Sequence, residues 1–129
     1  MYASKLQGHN LTFDCQFVIA QLNADIVRLA NAMHRDTWHM HFTLRQIRES
    51  MGLETMPDRW CPEWSGYEED MSLLIDKVPA MQPNKGGHYA NCPPDLWDSH
   101  LKPYIMGDVE VVHEAAPRIE EALKETHGY

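Results

Sequence analysis

The feature that most constrains the fold is a long stretch, from Leu11 to Met51, that contains neither glycine nor proline. In its first half, apolar side chains recur at steps of mainly three and four residues, which is the spacing of one face of an α-helix. This spacing predicts a helix of about five to six turns, capped at Thr12 and carrying Asp14 in its first turn. The predicted apolar stripe consists of Phe13, Phe17, Val18, Leu22, Ile26, Leu29 and Met33.

The second half of this stretch is less regular. Residues 34–42 interrupt the stripe and are compatible with a loop, a continued helix or a short strand. Beyond them, Thr43 and Gln46 have the spacing of a capping box, which predicts a helix from Leu44 to Met51. Gly52 then stands where a left-handed residue commonly ends a helix.

A second capping box, formed by Ser65 and Glu68, predicts another helix, which Pro79 terminates. Before it, residues 53–64 are predicted to be an irregular connection that contains two tryptophans and two prolines. The apolar face of this helix is predicted to carry Tyr67, Met71, Leu74, Ile75 and Val78.

The C-terminal third begins with residues 79–94, a long connection rich in proline and glycine. A short amphipathic helix is predicted over 96–104, and a last helix is predicted from Asp108 with a kink at Pro117. Alternating apolar residues over 108–115 leave a strand there as the alternative. Together these elements predict a mainly α fold, a small irregular bundle of four to five helices with a long Pro/Gly-rich loop.

Length and charge restrict the organisation and the partners. The 129 residues fit one helical domain, residues 1–129, in which residues 1–10 are expected to be a loose N-terminal segment. A formal net charge of −8 disfavours direct nucleic-acid binding and attraction to an anionic membrane. We also find no apolar run in the sequence that is long enough to span a bilayer.

The three cysteines, Cys15, Cys61 and Cys92, are odd in number and form no CxxC motif. They are predicted to be reduced thiols of a cytoplasmic protein. The chain has no glycine-rich nucleotide motif and no nucleophile-elbow motif. The favoured interpretation is therefore a protein that uses no cofactor and is not an enzyme.

Histidines supply the alternative chemistry. On a strand, His39 and His41 would face the same way, as two imidazoles do in mononuclear metal sites, although a polar connection between helices also explains them. Glu110 and His113 have the i, i+3 spacing found in helical di-iron sites, which a solvated helix face also explains. These four residues define a hypothetical site for a metal-dependent enzyme that uses iron or zinc. Further candidate ligands are His34, Asp36 and His100.

The sequence from Thr43 to Leu53 is similar to the first helix and turn of helix-turn-helix DNA-binding proteins. The similarity consists of a Thr-capped helix followed by Gly52 at the turn. It implies, as a further alternative, a degenerate helix-turn-helix regulator. After the turn the sequence departs from the family's pattern, because Pro57 and two acidic residues, Glu54 and Asp58, fall in the expected reading helix.

Tryptophan and methionine are abundant, and both are enriched where proteins meet partners. The same side chains could instead fill the core of a small domain with many loops. We predict a small, soluble, acidic helical protein that binds another macromolecule as an inhibitor, accessory subunit or adaptor. A basic nucleic-acid-handling protein is one candidate partner, and homo-oligomer formation is left open. The predicted partner-binding residues are Trp38, Trp60, Trp64 and Met56.

Overall fold

The computed structural model describes residues 5–45, 51–82 and 89–128, and its fold is mainly α, as the sequence predicts. The described residues form six α-helices, more than the four to five predicted, and one two-stranded parallel sheet. The helices are α1 (Leu11–Leu22), α2 (Ile26–Ala32), α3 (Thr37–Arg45), α4 (Met56–Trp60), α5 (Glu69–Lys77) and α6 (Lys102–His127). The strands are β1 (Leu6–Gly8) and β2 (Met33–Asp36). Short 3₁₀ turns cover Leu53–Thr55, Pro62–Trp64, Pro79–Met81 and Pro94–Leu96, and a π-helical turn spans Trp97–Leu101.

Helix α6 is the centre of the fold and packs against α3, α4, β1 and the π-helical turn. Its apolar residues at helical spacing, Val111, Ala115 and Ile119, are completely buried. They form the main core with Met56 of α4 and with Cys61. Burial raises the pKa of the Cys61 thiol to about 11, so this thiol remains protonated at neutral pH.

A second apolar cluster joins α5 to the segment that precedes α6. Met71 and Leu74 of α5 pack with Met81 and Cys92. The predicted apolar face of α5 is therefore confirmed at its centre, but Tyr67 precedes the helix and packs against the main core instead. Partly buried side chains surround the second cluster, namely Ile75, Val78, Leu96, Leu101 and Tyr104.

The helix ends predicted at Ser65 and Gly52 are wrong. The hydroxyl of Ser65 donates to Asp58 Oδ1 at 2.6 Å, and α5 begins after it without a side-chain cap. Gly52 has φ −61°, so it is not a left-handed cap and instead precedes a 3₁₀ turn. The predicted helix Leu44–Met51 falls largely on residues 46–50, which lie outside the described residues.

Helix α6 begins earlier than the predicted start at Asp108 and continues through Pro117. The strand alternative for residues 108–115 is therefore wrong. Pro103 lies in the first turn, where its missing N–H costs no helical hydrogen bond. Neither α6 nor any other helix in the described part of the chain is long and apolar enough to cross a membrane.

Near the N-terminus, β1 pairs in parallel with β2, with Gln7 opposite Arg35 and Gly8 opposite Asp36. Leu6–Gly8 is thus a strand, whereas the sequence predicted a loose segment over residues 1–10. Residues 34–42, for which three structures were compatible with the sequence, divide between β2 and α3. The sheet brings the start of α1 against the start of α3.

Candidate functional site

Helix α1 carries apolar residues on every side and leaves its largest ones exposed to solvent. Phe13 and Phe17 lie on one side, each 56% exposed, with their rings edge to face at a centroid distance of 5.0 Å. Leu22 follows on the opposite side, at about 100° of rotation per residue, and is 74% exposed. Within the described ranges, α1 packs extensively against no other helix or strand. A helix with apolar residues on all sides is normally buried on all sides. The exposed residues of α1 therefore indicate a surface that another molecule would bury.

The exposed apolar surface continues into α2. Asn23 adopts the left-handed conformation (φ 50°) and ends α1. Asp25 then caps α2, because its side chain accepts hydrogen bonds from two backbone N–H groups of the first turn. These two residues divide the single long helix that the sequence predicts into two. On α2, Ile26 and Val27 are exposed, whereas Leu29 is buried against the fold.

We call Phe13, Phe17, Leu22, Ile26 and Val27 the α1–α2 surface. Each of the five residues is more than half exposed. Together they expose on the order of 500 Å² of apolar surface, divided between the two sides of α1 and the start of α2. Only three charged side chains lie between residues 11 and 32, so few charges interrupt this surface.

Asp36 attaches α1 to the rest of the fold. Its carboxylate accepts hydrogen bonds from the backbone N–H groups of Asn10 (2.9 Å) and Leu11 (2.8 Å) at the start of α1. It also accepts one from Trp38 (3.0 Å) at the start of α3. Burial by itself would raise the pKa of Asp36, but the hydrogen bonds from Asn10, Leu11 and His39 hold it below its ordinary value of 3.8. One ionised carboxylate thus caps two helices.

His9 makes a second attachment. Its Nδ1 lies 2.9 Å from Thr37 Oγ1, and its Nε2 lies 2.5 Å from the carbonyl oxygen of Met51. Burial lowers the pKa of His9 below 6.5, which favours a neutral ring that donates from Nε2 to the carbonyl oxygen of Met51. Thr12, the predicted N-cap, lies within the helix, and a left-handed Asn10 occupies the cap position.

The residues predicted to bind a partner lie mostly in the main core. Met56 is completely buried, and Trp60 and Trp64 are partly buried against the same core. Met56 is therefore reachable only if the core opens. Trp38 is also partly buried and stacks on Phe42 at a centroid distance of 5.8 Å. For Trp60 and Trp64, packing against the core is an alternative explanation of the abundance that suggested partner binding.

The structure distributes the predicted metal ligands over two helices. His39 and His41 lie on α3, where residues two apart point about 200° away from each other, so the shared direction expected on a strand is lost. His39 is exposed and contacts Asp36 (Nδ1 to Oδ2, 3.0 Å), and Glu110 and His113 lie on α6. No group of three or more His, Cys, Asp or Glu side chains in residues 5–45, 51–82 and 89–128 is arranged to hold a metal ion. The iron or zinc hypothesis stays a prediction.

The similarity to helix-turn-helix proteins places the reading helix at α4. This helix has only five residues, and Met56 and Pro57 at its start are buried. Its first turn therefore faces the interior of the protein, whereas a reading helix presents its first turn to the major groove of DNA.

Sequence reasoning missed the α1–α2 surface because it placed all of its residues except Val27 on the apolar stripe of one long helix. The available signal was the even distribution of apolar residues around α1, which differs from the one-sided stripe of an ordinary surface helix. Comparison with known protein families, curated proteins and solved structures finds no match.

Proposed function

We propose that this protein acts by binding another protein, and that the α1–α2 surface enters an apolar groove of that partner. The observation that supports this function is an all-round apolar helix, α1, that is exposed to water. Insertion of a helix into a groove is a common way to bury such a surface. Complete burial of Phe13 and Phe17 would contribute about 1 to 2 kcal/mol for each ring, given the part that is already covered. An inhibitor, an accessory subunit and an adaptor could each act in this way.

The partner that we propose is a basic protein, not a second copy of this chain. With a net charge of −8, two copies repel each other, whereas a basic groove rim is attracted. Asp14 and Asp25 lie next to the α1–α2 surface and supply carboxylates for such a rim. A groove also covers both sides of α1, whereas one helix of a second copy covers only one side. We propose a cytoplasmic location because Cys15, Cys61 and Cys92 are free thiols.

The test begins with a photoreactive amino acid in place of Phe17 in the full chain, which cross-links whatever covers this position in cells. The cross-linked protein is identified, purified and titrated against the wild-type chain by calorimetry. We expect a basic protein whose affinity falls with added salt. We also expect Phe17→Asp to weaken binding by more than about tenfold, because it places a charge in the apolar contact.

The matched control is Leu73→Asp, since Leu73 is an equally exposed apolar residue (55%) on α5. This variant should bind like the wild type. Sedimentation that shows a dimer abolished by Phe17→Asp would contradict the proposed partner and identify a second copy instead. Equal losses for the two variants, or no cross-link at position 17, would overturn the proposed surface.

A further inference from the structure

A groove of about 390 Å³ opens between β1, the first turn of α1 and helix α6, and we call it the α1–α6 groove. Its apolar wall is formed by Val109, which is 63% exposed, by the buried Val112 and by Leu53. Asp14 also lines the groove, and it lies three residues before Phe17, about 60° from it around α1. The α1–α6 groove therefore adjoins the α1–α2 surface.

Two carboxylates line this groove, one from each helix. Asp14 is exposed on α1, and Asp108 is partly buried on α6. The hydroxyl of Tyr67 donates to Asp108 Oδ1 at 2.5 Å, and Oδ2 accepts no hydrogen bond from any residue in the described ranges. Burial raises the pKa of Asp108 above its ordinary value of 3.8, because less water is available to stabilise its charge. A cation next to Asp108 would therefore stabilise a charge that is poorly hydrated.

Packing around Tyr67 holds Asp108 in place. The ring of Tyr67 lies directly on α6 at Gly107, where an added Cβ would lie 2.4 Å from Tyr67 Cδ2. The same ring stacks on Tyr104 at a centroid distance of 6.2 Å. The hydroxyl that binds Asp108 is thus fixed, so this carboxylate needs little reorganisation to bind a cation.

We infer that the α1–α6 groove receives a lysine or arginine side chain of the basic partner protein, which contacts Asp14 and Asp108. This rests on the proposed function, because the groove adjoins the α1–α2 surface that the partner would cover. The charged end of the side chain binds the carboxylates, and its methylene groups pack on Val109 and Val112. His9 also lines the groove, but its lowered pKa keeps it neutral at neutral pH, so it does not repel a cation.

The experiment begins with a photoreactive amino acid in place of Val109 in the full chain, in parallel with the one at position 17. We expect both positions to cross-link the same protein, and the site joined to position 109 to lie beside a lysine or an arginine of that protein. The sequence at this site shows which of the two side chains enters the groove. A partner that is cross-linked at position 17 but not at position 109 overturns the inference and leaves the proposed function standing.

Calorimetry with the purified cross-linked protein measures what the groove contributes to affinity. Val109→Lys should weaken binding by more than about tenfold, because it places a cation where the partner's cation would lie. The matched control is Leu73→Lys, which makes the same change of charge at a similarly exposed apolar residue of α5 (55%) and should bind nearly like the wild type. Equal affinities of these two variants overturn the inference.

The carboxylates are tested one at a time. Asp108→Asn should weaken binding by about fivefold or more and reduce its dependence on salt, while Tyr67 can still donate to the amide oxygen. Asp14→Asn, at an exposed residue, should have the same direction of effect without any change near Tyr67. Asp76→Asn on α5 removes the same charge away from the groove and should leave binding unchanged. If Phe17→Asp weakens binding but both groove variants match Asp76→Asn, the groove contact is absent and the proposed function stands.

Discussion

Helix α6 from Val111 onward and the α1–α2 pair are both rich in apolar residues at helical spacing, but only this part of α6 buries all of its large apolar residues. From Val111 onward, the apolar residues of α6 lie on its buried side, and Val111, Ala115 and Ile119 are inaccessible to solvent, whereas Ile105, Met106 and Val109 near the start of the helix are exposed. On α1, apolar residues surround the helix, and Phe13 and Phe17 remain more than half exposed. An apolar stripe on one side of a helix can be buried by one neighbouring surface. Apolar residues on all sides of a helix need more surrounding surface to be buried than the described residues of this chain provide. The comparison separates a region that stabilises the fold from one that is available for binding.

The largest expected effect is at the centre of α6. Ile119→Ala should lower the free energy of unfolding by about 3 to 4 kcal/mol, because it leaves a cavity in the main core. Leu22→Ala is the matched change on α1 and should cost less than about 0.5 kcal/mol, because Leu22 is 74% exposed. Chemical denaturation of both variants measures the difference. Equal losses would remove the distinction between the two regions.

The sequence was sufficient to predict a helix whose apolar residues pack within this chain, as those at the centre of α5 do. The apolar residues of α5 and the end of that helix before Pro79 follow directly from spacing and from the proline. Spacing could not show that α1 is uncovered, because it reports where apolar side chains lie and not what lies opposite them. The contacts of His41 with Arg59 and Trp60 could not be predicted either, because these residues are distant from His41 in sequence and meet it only through packing.

The next effect concerns Asp36, which links the start of α1 to the start of α3. Asp36→Ala should lower the free energy of unfolding by about 2 kcal/mol, because two helix starts lose their cap. Asp36→Asn, which keeps an acceptor oxygen, should lose less. Urea denaturation of the two variants checks this order. A neutral effect of Asp36→Ala would mean that other contacts attach α1.

The pH dependence of Asp36 has a definite sign. Its folded pKa is below the ordinary 3.8, so the stabilisation is complete above pH 3.8 and is lost as the pH falls through the folded pKa. Wild-type stability should therefore decrease in this acidic range more steeply than that of Asp36→Asn. Parallel curves for the two proteins would contradict the assigned hydrogen bonds.

A smaller effect is expected from His9, the second attachment of the N-terminal region. Because burial holds the folded pKa of His9 below 6.5, the unfolded chain takes up its proton first as the pH falls. This contribution to stability is complete above pH 6.5 and is lost as the pH falls from 6.5 through the folded pKa. His9→Gln should flatten that part of the stability curve, whereas His113→Gln, at an exposed residue of α6, should not. Identical curves for both variants would assign the pH dependence elsewhere.

The smallest stability effect is also the most direct test of the central claim, that the α1–α2 surface is free for a partner. The measurement is the free energy of unfolding of the double variant Phe13→Gln/Phe17→Gln, obtained by urea denaturation. We expect a change of less than about 0.5 kcal/mol, because both rings are exposed and glutamine is a good helix former. A loss of more than about 2 kcal/mol would show that these rings belong to the core of this chain and would contradict the proposed binding surface.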